Sequence, residues 1–231
     1  MIEGIARELP RPALVIVGEP TGMKVVNAHK SITSWRTQVT GREAHSSNTH
    51  LGVNAIAIAA RLIEFLSGLA DELKAKGDHT HRFDPPYSTI SVGTIQGGTA
   101  QNIVPRFCSF TWEYRLLPGE DGDLLKARFD EAAARIAAGA QIETQLRAHA
   151  AGLLAVEGSP AEALALSLTG QNASEAVSYA TEAGIFQEAG IPAVICGPGF
   201  IREAHKPDEW VAISEIEACS AFLAKLATAL S

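Results

Sequence analysis

The chain has 231 residues, with 19 Lys+Arg against 26 Asp+Glu and a formal charge of −7. This acidic balance argues against a nucleic-acid binder, which needs a basic face to meet phosphates. With 46% hydrophobic and 19% charged residues, it has the composition of a packed globular chain, long enough for one large domain or two small ones. Cys108, Cys196 and Cys219 are spaced too widely for a zinc ribbon or a redox pair, which predicts a reducing, cytoplasmic setting. The opening MIEGIARELPRP carries Glu3 and Glu8 and no continuous apolar core, against a secretory signal. No run approaches the roughly 20 apolar residues of a membrane span, so neither a membrane nor nucleic acid is an expected partner.

In chain order, residues 13–17 (ALVIV) are a short apolar run ending in Gly-Glu-Pro-Thr-Gly, which predicts a buried strand delivering a loop at its carboxyl end. Residues 34–41 alternate as a half-buried strand should, with Trp35, Thr37 and Val39 against Arg36, Gln38 and Thr40. A helix is predicted over 52–69, with Ile56, Ala59, Ile63, Leu66 and Leu69 on one stripe. After Gly77 and Asp84-Pro-Pro, strands are predicted over 88–96 and 107–116. The second alternates through Cys108, Phe110, Trp112, Tyr114 and Leu116, and the two form a hairpin pair. A second helix over 123–138 carries Leu124, Phe129 and Ile136, and 142–148 alternates again.

The order over 34–148 is therefore β-α-β-β-α-β, a four-stranded antiparallel sheet with two helices on one face. From Gly152 onward a rhythm of helix, strand and loop returns, through 160–169, 175–180, 184–189, 193–196 and a long last helix over 214–230. The fold class predicted is α/β, an α/β domain interrupted by an inserted ferredoxin-like domain. Too few strands flank the insert to close a full α/β sheet, so residues before Val25 and after Gly152 are expected to expose apolar surface.

Several residues could carry chemistry. Glu19 follows the first strand where open α/β sheets gather ligands, and its alternative role is a loop carboxylate capping a turn. His205, in Glu-Ala-His-Lys-Pro-Asp-Glu-Trp, follows the Gly197-Pro198-Gly199 loop, which either presents amides to a carboxylate or merely turns. His45, in Gly-Arg-Glu-Ala-His-Ser-Ser, lies between a strand and a helix, where Ser46, Ser47 or Asn48 could cap the helix. His79 and His81 form a His-x-His pair with no third ligand near and read as surface residues. Arg115 either binds a substrate carboxylate through its planar fork or pairs with Glu113 or Glu143. Asn102 lies in a turn-like Gly-Gly-Thr-Ala-Gln-Asn-Ile-Val-Pro context.

Taken together, Gly18-Glu19-Pro20-Thr21, Gly41-Arg42-Glu43-Ala44-His45-Ser46-Ser47, Gly52-Val53-Asn54-Ala55, Gly97 to Pro105, Arg115-Leu116-Leu117-Pro118-Gly119 and Ala204-His205-Lys206-Pro207-Asp208-Glu209 resemble, in this order, the M20 family of zinc amidohydrolases. Ala28-His29-Lys30, Tyr179-Ala180-Thr181-Glu182-Ala183 and Cys196-Gly197-Pro198-Gly199 are most similar to the members that deacetylate N2-acetyl-L-ornithine.

The resemblance implies a partial zinc-peptidase-like α/β catalytic domain, over 1–27 and 151–231, interrupted by a ferredoxin-like lid and dimerisation domain over 28–150. It implies hydrolysis of an N-acyl amino acid, N2-acetyl-L-ornithine to L-ornithine and acetate in arginine biosynthesis. Two zinc ions, replaceable by cobalt, would activate a water, with Glu19 a ligand of one and His205 of the other. His45 would reach a neighbouring subunit's site to stabilise the oxyanion. Asn102 and Arg115 on the lid, with Thr181, Glu182 and Gly197 on the catalytic part, would meet the substrate, and the lid would pair two copies into a homodimer.

The family's His-x-Asp motif, bridging Asp and Glu-Glu pair do not occur before Glu19. Each ion would then keep one ligand where catalytic zinc takes about three, and the chain alone is expected to bind the pair poorly and not to turn over. The alternatives are succinyl-diaminopimelate desuccinylase or glutamate-type carboxypeptidase activity, a non-catalytic dimerisation module, and a small-molecule sensor, the last on fold analogy alone.

Overall fold

In the computed structural model, residues 10–230 are described. Most of the opening segment read against a secretory signal lies outside the described residues. The described chain forms two compact units: residues up to Ser31 with Arg82–Asp84 and Ala150 onward, and Ile32–His81 with Pro85–His149.

The second unit is the split βαβ arrangement. Strands β3 (Ile32–Thr40), β5 (Thr89–Gly97), β7 (Phe107–Arg115) and β8 (Gln141–Ala150) lie in the order β5-β7-β3-β8. Strand β7 runs antiparallel to both β3 and β5, with Trp35 opposite Trp112 and Val39 opposite Cys108. The register with β5 shifts between Val92 and Thr94, so Gly93 sits in a bulge. The alternation read in β7 is real: Cys108, Phe110, Trp112 and Tyr114 are all buried on the helix-covered face.

Helices α1 (Ala55–Lys76) and α2 (Gly122–Ile136) cover that face. The buried stripe of α1 is Ala55, Ile58, Ala59, Leu62, Leu66 and Leu69, while Ile56 is exposed and Ile63 only flanks the core. The expected stripe therefore holds at Ala59, Leu66 and Leu69, with Ala55, Ile58 and Leu62 buried beside them. Leu125, not Leu124, is buried on α2. Asn54 caps α1 by accepting the Ala57 N–H at 2.9 Å, and Gly77 ends it at φ +62°. Ser46, Ser47 and Asn48 do not cap α1; they form a separate 3-10 turn, Ser46–Leu51. Two short strands, β4 (Ala44–His45) and β6 (Ile103–Val104), pair beside it.

The first unit holds a second four-stranded sheet, in the order β1 (Val15–Val17), β10 (Ala193–Ile195), β2 (Val26–His29), β9 (Glu175–Val177). Strands β1 and β10 are parallel, β10 and β2 antiparallel, and β2 and β9 parallel. The pairing of β2 in this sheet keeps Ala28–Ser31 with the first unit, where the sequence reading started the lid at 28. Helices α3 (Pro160–Thr169), α4 (Ala183–Glu188) and α5 (Ile213–Ala229) accompany the sheet. Val194 and Cys196 pack with Ala161, Ala165, Leu168 and Phe222, and Ala193 and Ile195 with Leu153 and Ala183, so β10 is buried on both faces.

Apolar exposure is concentrated after Gly152. On α5 only Phe222 is buried, whereas Ile213, Ile216 and Leu223 are exposed, as are Trp210, Val211, Leu154 and Val156. Before Val25 the exposure is partial: Ala13 is exposed, and Leu14, Val15, Ile16 and Val17, at the sheet edge, are only half-buried against the two clusters that flank β10. Among the described residues no helix is long and apolar enough to cross a membrane.

Candidate functional site

In the first unit, the parallel pairing of β1 and β10 brings their carboxyl ends together, and the two loops that follow are knitted to each other. The N–H groups of Thr21 and Met23 both donate to the Gly197 carbonyl, at 3.1 and 2.9 Å, and Gly22 N–H donates to the Gly199 carbonyl at 2.6 Å. The Gly197 N–H in turn donates to Thr21 Oγ1 at 3.1 Å. Glu19 stands half-buried on this junction. Gly197 is buried, and a Cβ there would lie 2.3 Å from the Gly18 carbonyl oxygen and 2.5 Å from that of Glu19. Glu19 and Gly197 are thus brought together by backbone.

Tyr179 joins the same junction, its hydroxyl donating to the Pro20 carbonyl at 3.1 Å. Burial, aided by the Glu19 carboxylate, pushes the Tyr179 phenol up to about 12. Unfolded, it would ionise near the ordinary 10, so between pH 10 and 12 the unfolded chain loses a proton that the folded chain keeps, and stability should fall across that window. Spectrophotometric titration of wild type against Tyr179→Phe is expected to show one late phenol missing from the variant. Loss from the variant of a phenol titrating near 10 instead would contradict the burial of this contact. Sequence reasoning quoted Tyr179 in a motif and gave it no role, since its partner is 159 residues away and leaves no local pattern.

Two residues on, Thr181 is buried and Glu182 exposed at the start of α4. Thr181 Oγ1 accepts the Ala183 N–H at 3.1 Å and lies 3.2 Å from His29 Nε2. His205 is exposed, in the left-handed region at φ +59°, and its N–H donates to Glu209 Oε2 at 2.9 Å. A non-glycine residue there is strained by about 1 kcal/mol or more, the kind of cost that clusters at functional sites. Among the described residues, no three His, Cys, Asp or Glu side chains are grouped so as to hold a metal ion. Glu19 and His205 do not complete a zinc site from the donors described here, since catalytic zinc takes about three protein ligands.

In the second unit the β4–β6 pair brings His45 and Asn102 together, with the Ser46 N–H donating to the Asn102 carbonyl at 2.9 Å. Both are exposed. The Ser47 N–H donates to His45 Nδ1 at 3.2 Å and Ser47 Oγ lies 2.8 Å from the same nitrogen; with Nδ1 accepting from both, the neutral ring carries its proton on Nε2. Arg115 stands apart at the far end of β7, eight residues from Phe107 and so roughly 26 Å along the strand. Its Nε donates to Glu113 Oε1 at 3.0 Å, one of the two pairings left open by the sequence.

The family described as the M20 peptidase dimerisation domain matches residues 27–141. The acetylornithine deacetylase of Myxococcus xanthus is 34% identical over 219 residues, 94% of this chain and 57% of that protein. That of Edwardsiella ictaluri is 35% identical over 220 residues, 94% of this chain and 56% of that one. The chain belongs to the M20 family. It spans a little over half the length of these curated M20 relatives. Among solved structures, the aminopeptidase PepT of Bacillus cereus superposes with a TM-score of 0.68 at 21% identity, covering 90% of this chain and 54% of that one. The di-peptidase Dug1p of Saccharomyces cerevisiae gives 0.60 at 14% identity, over 91% and 57%. At such identities these two likenesses speak for the M20 fold alone.

Proposed function

We propose that this chain carries the lid and part of the active site of an M20 amidohydrolase that removes the acyl group of an N-acyl amino acid, with N2-acetyl-L-ornithine as the substrate. The observation that carries the reading is the 34% identity to a protein named acetylornithine deacetylase along 94% of the chain. In this reading the first unit contributes Glu19 and His205 as metal ligands, and Thr181, Glu182 and Gly197 as the substrate face. The second unit contributes His45, Asn102 and Arg115, and pairs two copies.

Each role follows from chemistry that the side chain can perform. A carboxylate and an imidazole are zinc donors, and zinc in this family's chemistry would polarise the amide carbonyl and activate a water. The Nε2–H of His45 is a donor suited to an oxyanion. Since Arg115 and the His45–Asn102 pair lie at opposite ends of β7, they would serve different parts of a substrate, or different substrates in a pair of copies.

Calorimetric titration with N2-acetyl-L-ornithine and with N-succinyl-diaminopimelate tests the acyl class. Binding of the first at least about tenfold tighter is expected; equal binding, or preference for the second, would overturn the substrate assigned here. A second reading, a non-catalytic dimerisation module, is favoured by one observation, the lack of a three-donor metal cluster among the described residues.

A further inference from the structure

His29 is completely buried on β2, in the Ala28-His29-Lys30 motif to which the proposed function gives no task. Its backbone is fixed on both sides, with Leu153 N–H donating to the His29 carbonyl and His29 N–H to the Leu153 carbonyl, both at 3.0 Å. The ring nitrogens are both engaged. Nδ1 lies 2.8 Å from the Lys30 carbonyl oxygen and Nε2 lies 3.2 Å from Thr181 Oγ1. A carbonyl oxygen can only accept, so Nδ1 must carry a proton. In the neutral ring Nε2 then accepts, and the Thr181 hydroxyl donates to it. The Thr181 oxygen accepts in turn from the Ala183 N–H at 3.1 Å. Every donor along this line has an acceptor: Ala183 amide to Thr181 hydroxyl, hydroxyl to imidazole, imidazole to Lys30 carbonyl.

We propose that His29 is a positioning residue: as a neutral imidazole protonated on Nδ1, it holds the Thr181 hydroxyl and through it the Thr181–Ala183 backbone that presents Glu182 to the substrate. A doubly protonated ring would break the line, because its Nε2–H would compete for the Thr181 oxygen and leave the hydroxyl proton without its acceptor. Burial supports the neutral form, holding His29 below the ordinary 6.5 although the Lys30 carbonyl and the Glu182 carboxylate pull the other way. A purely space-filling role would be met by an aliphatic side chain; a histidine with both nitrogens bonded fixes a direction as well. The line ends one residue past the exposed Glu182 and four past Tyr179, whose hydroxyl holds the Pro20 carbonyl beside Glu19. The substrate side of this assignment rests on the deacetylase reading, and the hydrogen-bond line does not.

The test leaves the histidine in place and alters its partner, using the full chain as wild type, Thr181→Ser and Thr181→Val. Long-range nitrogen–proton correlation of the ring should show a neutral Nδ1–H tautomer in wild type and Thr181→Ser, persisting at about pH 6, where an ordinary imidazole is largely protonated. Exchange of the Ala183 amide should be about five- to tenfold faster in Thr181→Val and restored in Thr181→Ser. Adding N2-acetyl-L-ornithine should shift the Glu182 and Ala183 amides in wild type and Thr181→Ser, and much less in Thr181→Val. An Nε2–H ring, an ordinary titration of His29, or unchanged Ala183 exchange in Thr181→Val would overturn the positioning role. Equal ligand response in all three chains would overturn its bearing on substrate. If tautomer and exchange behave as expected while wild type ignores the ligand, the deacetylase reading falls and the positioning of Thr181–Ala183 stands.

Discussion

Gly197→Ala is expected to cost about 3 kcal/mol or more and to dismantle the junction that holds Glu19. The added methyl would meet the Gly18 carbonyl oxygen at 2.3 Å, its carbon at 2.4 Å and the Glu19 oxygen at 2.5 Å. All three are backbone atoms and cannot swing aside as a flexible side chain would. Moving them apart separates β1 from β10 at their carboxyl ends, where the Cys196 N–H donates to the Val17 carbonyl at 2.9 Å and Thr21 and Met23 both donate to Gly197. Gly18→Ala is the control, because nothing lies within 4 Å of a Cβ there. Denaturant melts of the two variants should differ by the full penalty, and the late Tyr179 titration should survive in Gly18→Ala only. Equal midpoints would mean that the two loops are not packed as described.

Trp112→Ala should be the most damaging change in the second unit, at about 3–5 kcal/mol. The ring is buried at 1% exposure, with centroids 4.7 Å from Phe129, 6.1 Å from Trp35 and 6.3 Å from Tyr114. It is also polar glue: its Nε1–H donates to Thr37 Oγ1 at 3.0 Å, and that hydroxyl lies 3.1 Å from Thr144 Oγ1, which links β7, β3 and β8. Trp35 makes the contrast. Its Nε1 is buried with no hydrogen-bond partner, so Trp35→Phe removes an unpaired donor and should cost far less. Chemical denaturation of both variants checks the order. A Trp112→Ala chain within about 1 kcal/mol of wild type would contradict the packing assigned to this core.

The two units differ in how much of them could be read from the sequence. In the second unit β7 announces itself, because its aromatic side chains alternate with polar ones and one face meets water. The α1 helix was legible in existence and in part of its stripe: Ala59, Leu66 and Leu69 are buried as read, while Ile56 and Ile63 give way to Ala55, Ile58 and Leu62. Strand β2 was missed outright. Val26, Ala28 and His29 are buried, Asn27 is half-buried, and a four-residue strand covered on both faces leaves no alternation to find. Of the candidate site, Glu19 and Gly197 follow from the rule that loops gather at the carboxyl ends of parallel strands. The His45–Asn102 neighbourhood rests on a two-residue strand pairing that no local pattern announces. Tyr179 and the His29–Thr181 link depend on contacts more than 150 residues apart in the chain.

In the function proposed above, Glu19 and His205 are ligands of a metal centre that needs further donors. Zinc content and hydrolysis of N2-acetyl-L-ornithine, measured together on the purified 231-residue chain and on Glu19→Ala/His205→Ala, decide whether that holds. Substoichiometric zinc that falls further in the double variant, with no turnover from either, is the expected result. Stoichiometric zinc with turnover that the double variant loses would show that a complete site is assembled within the chain, and would contradict it.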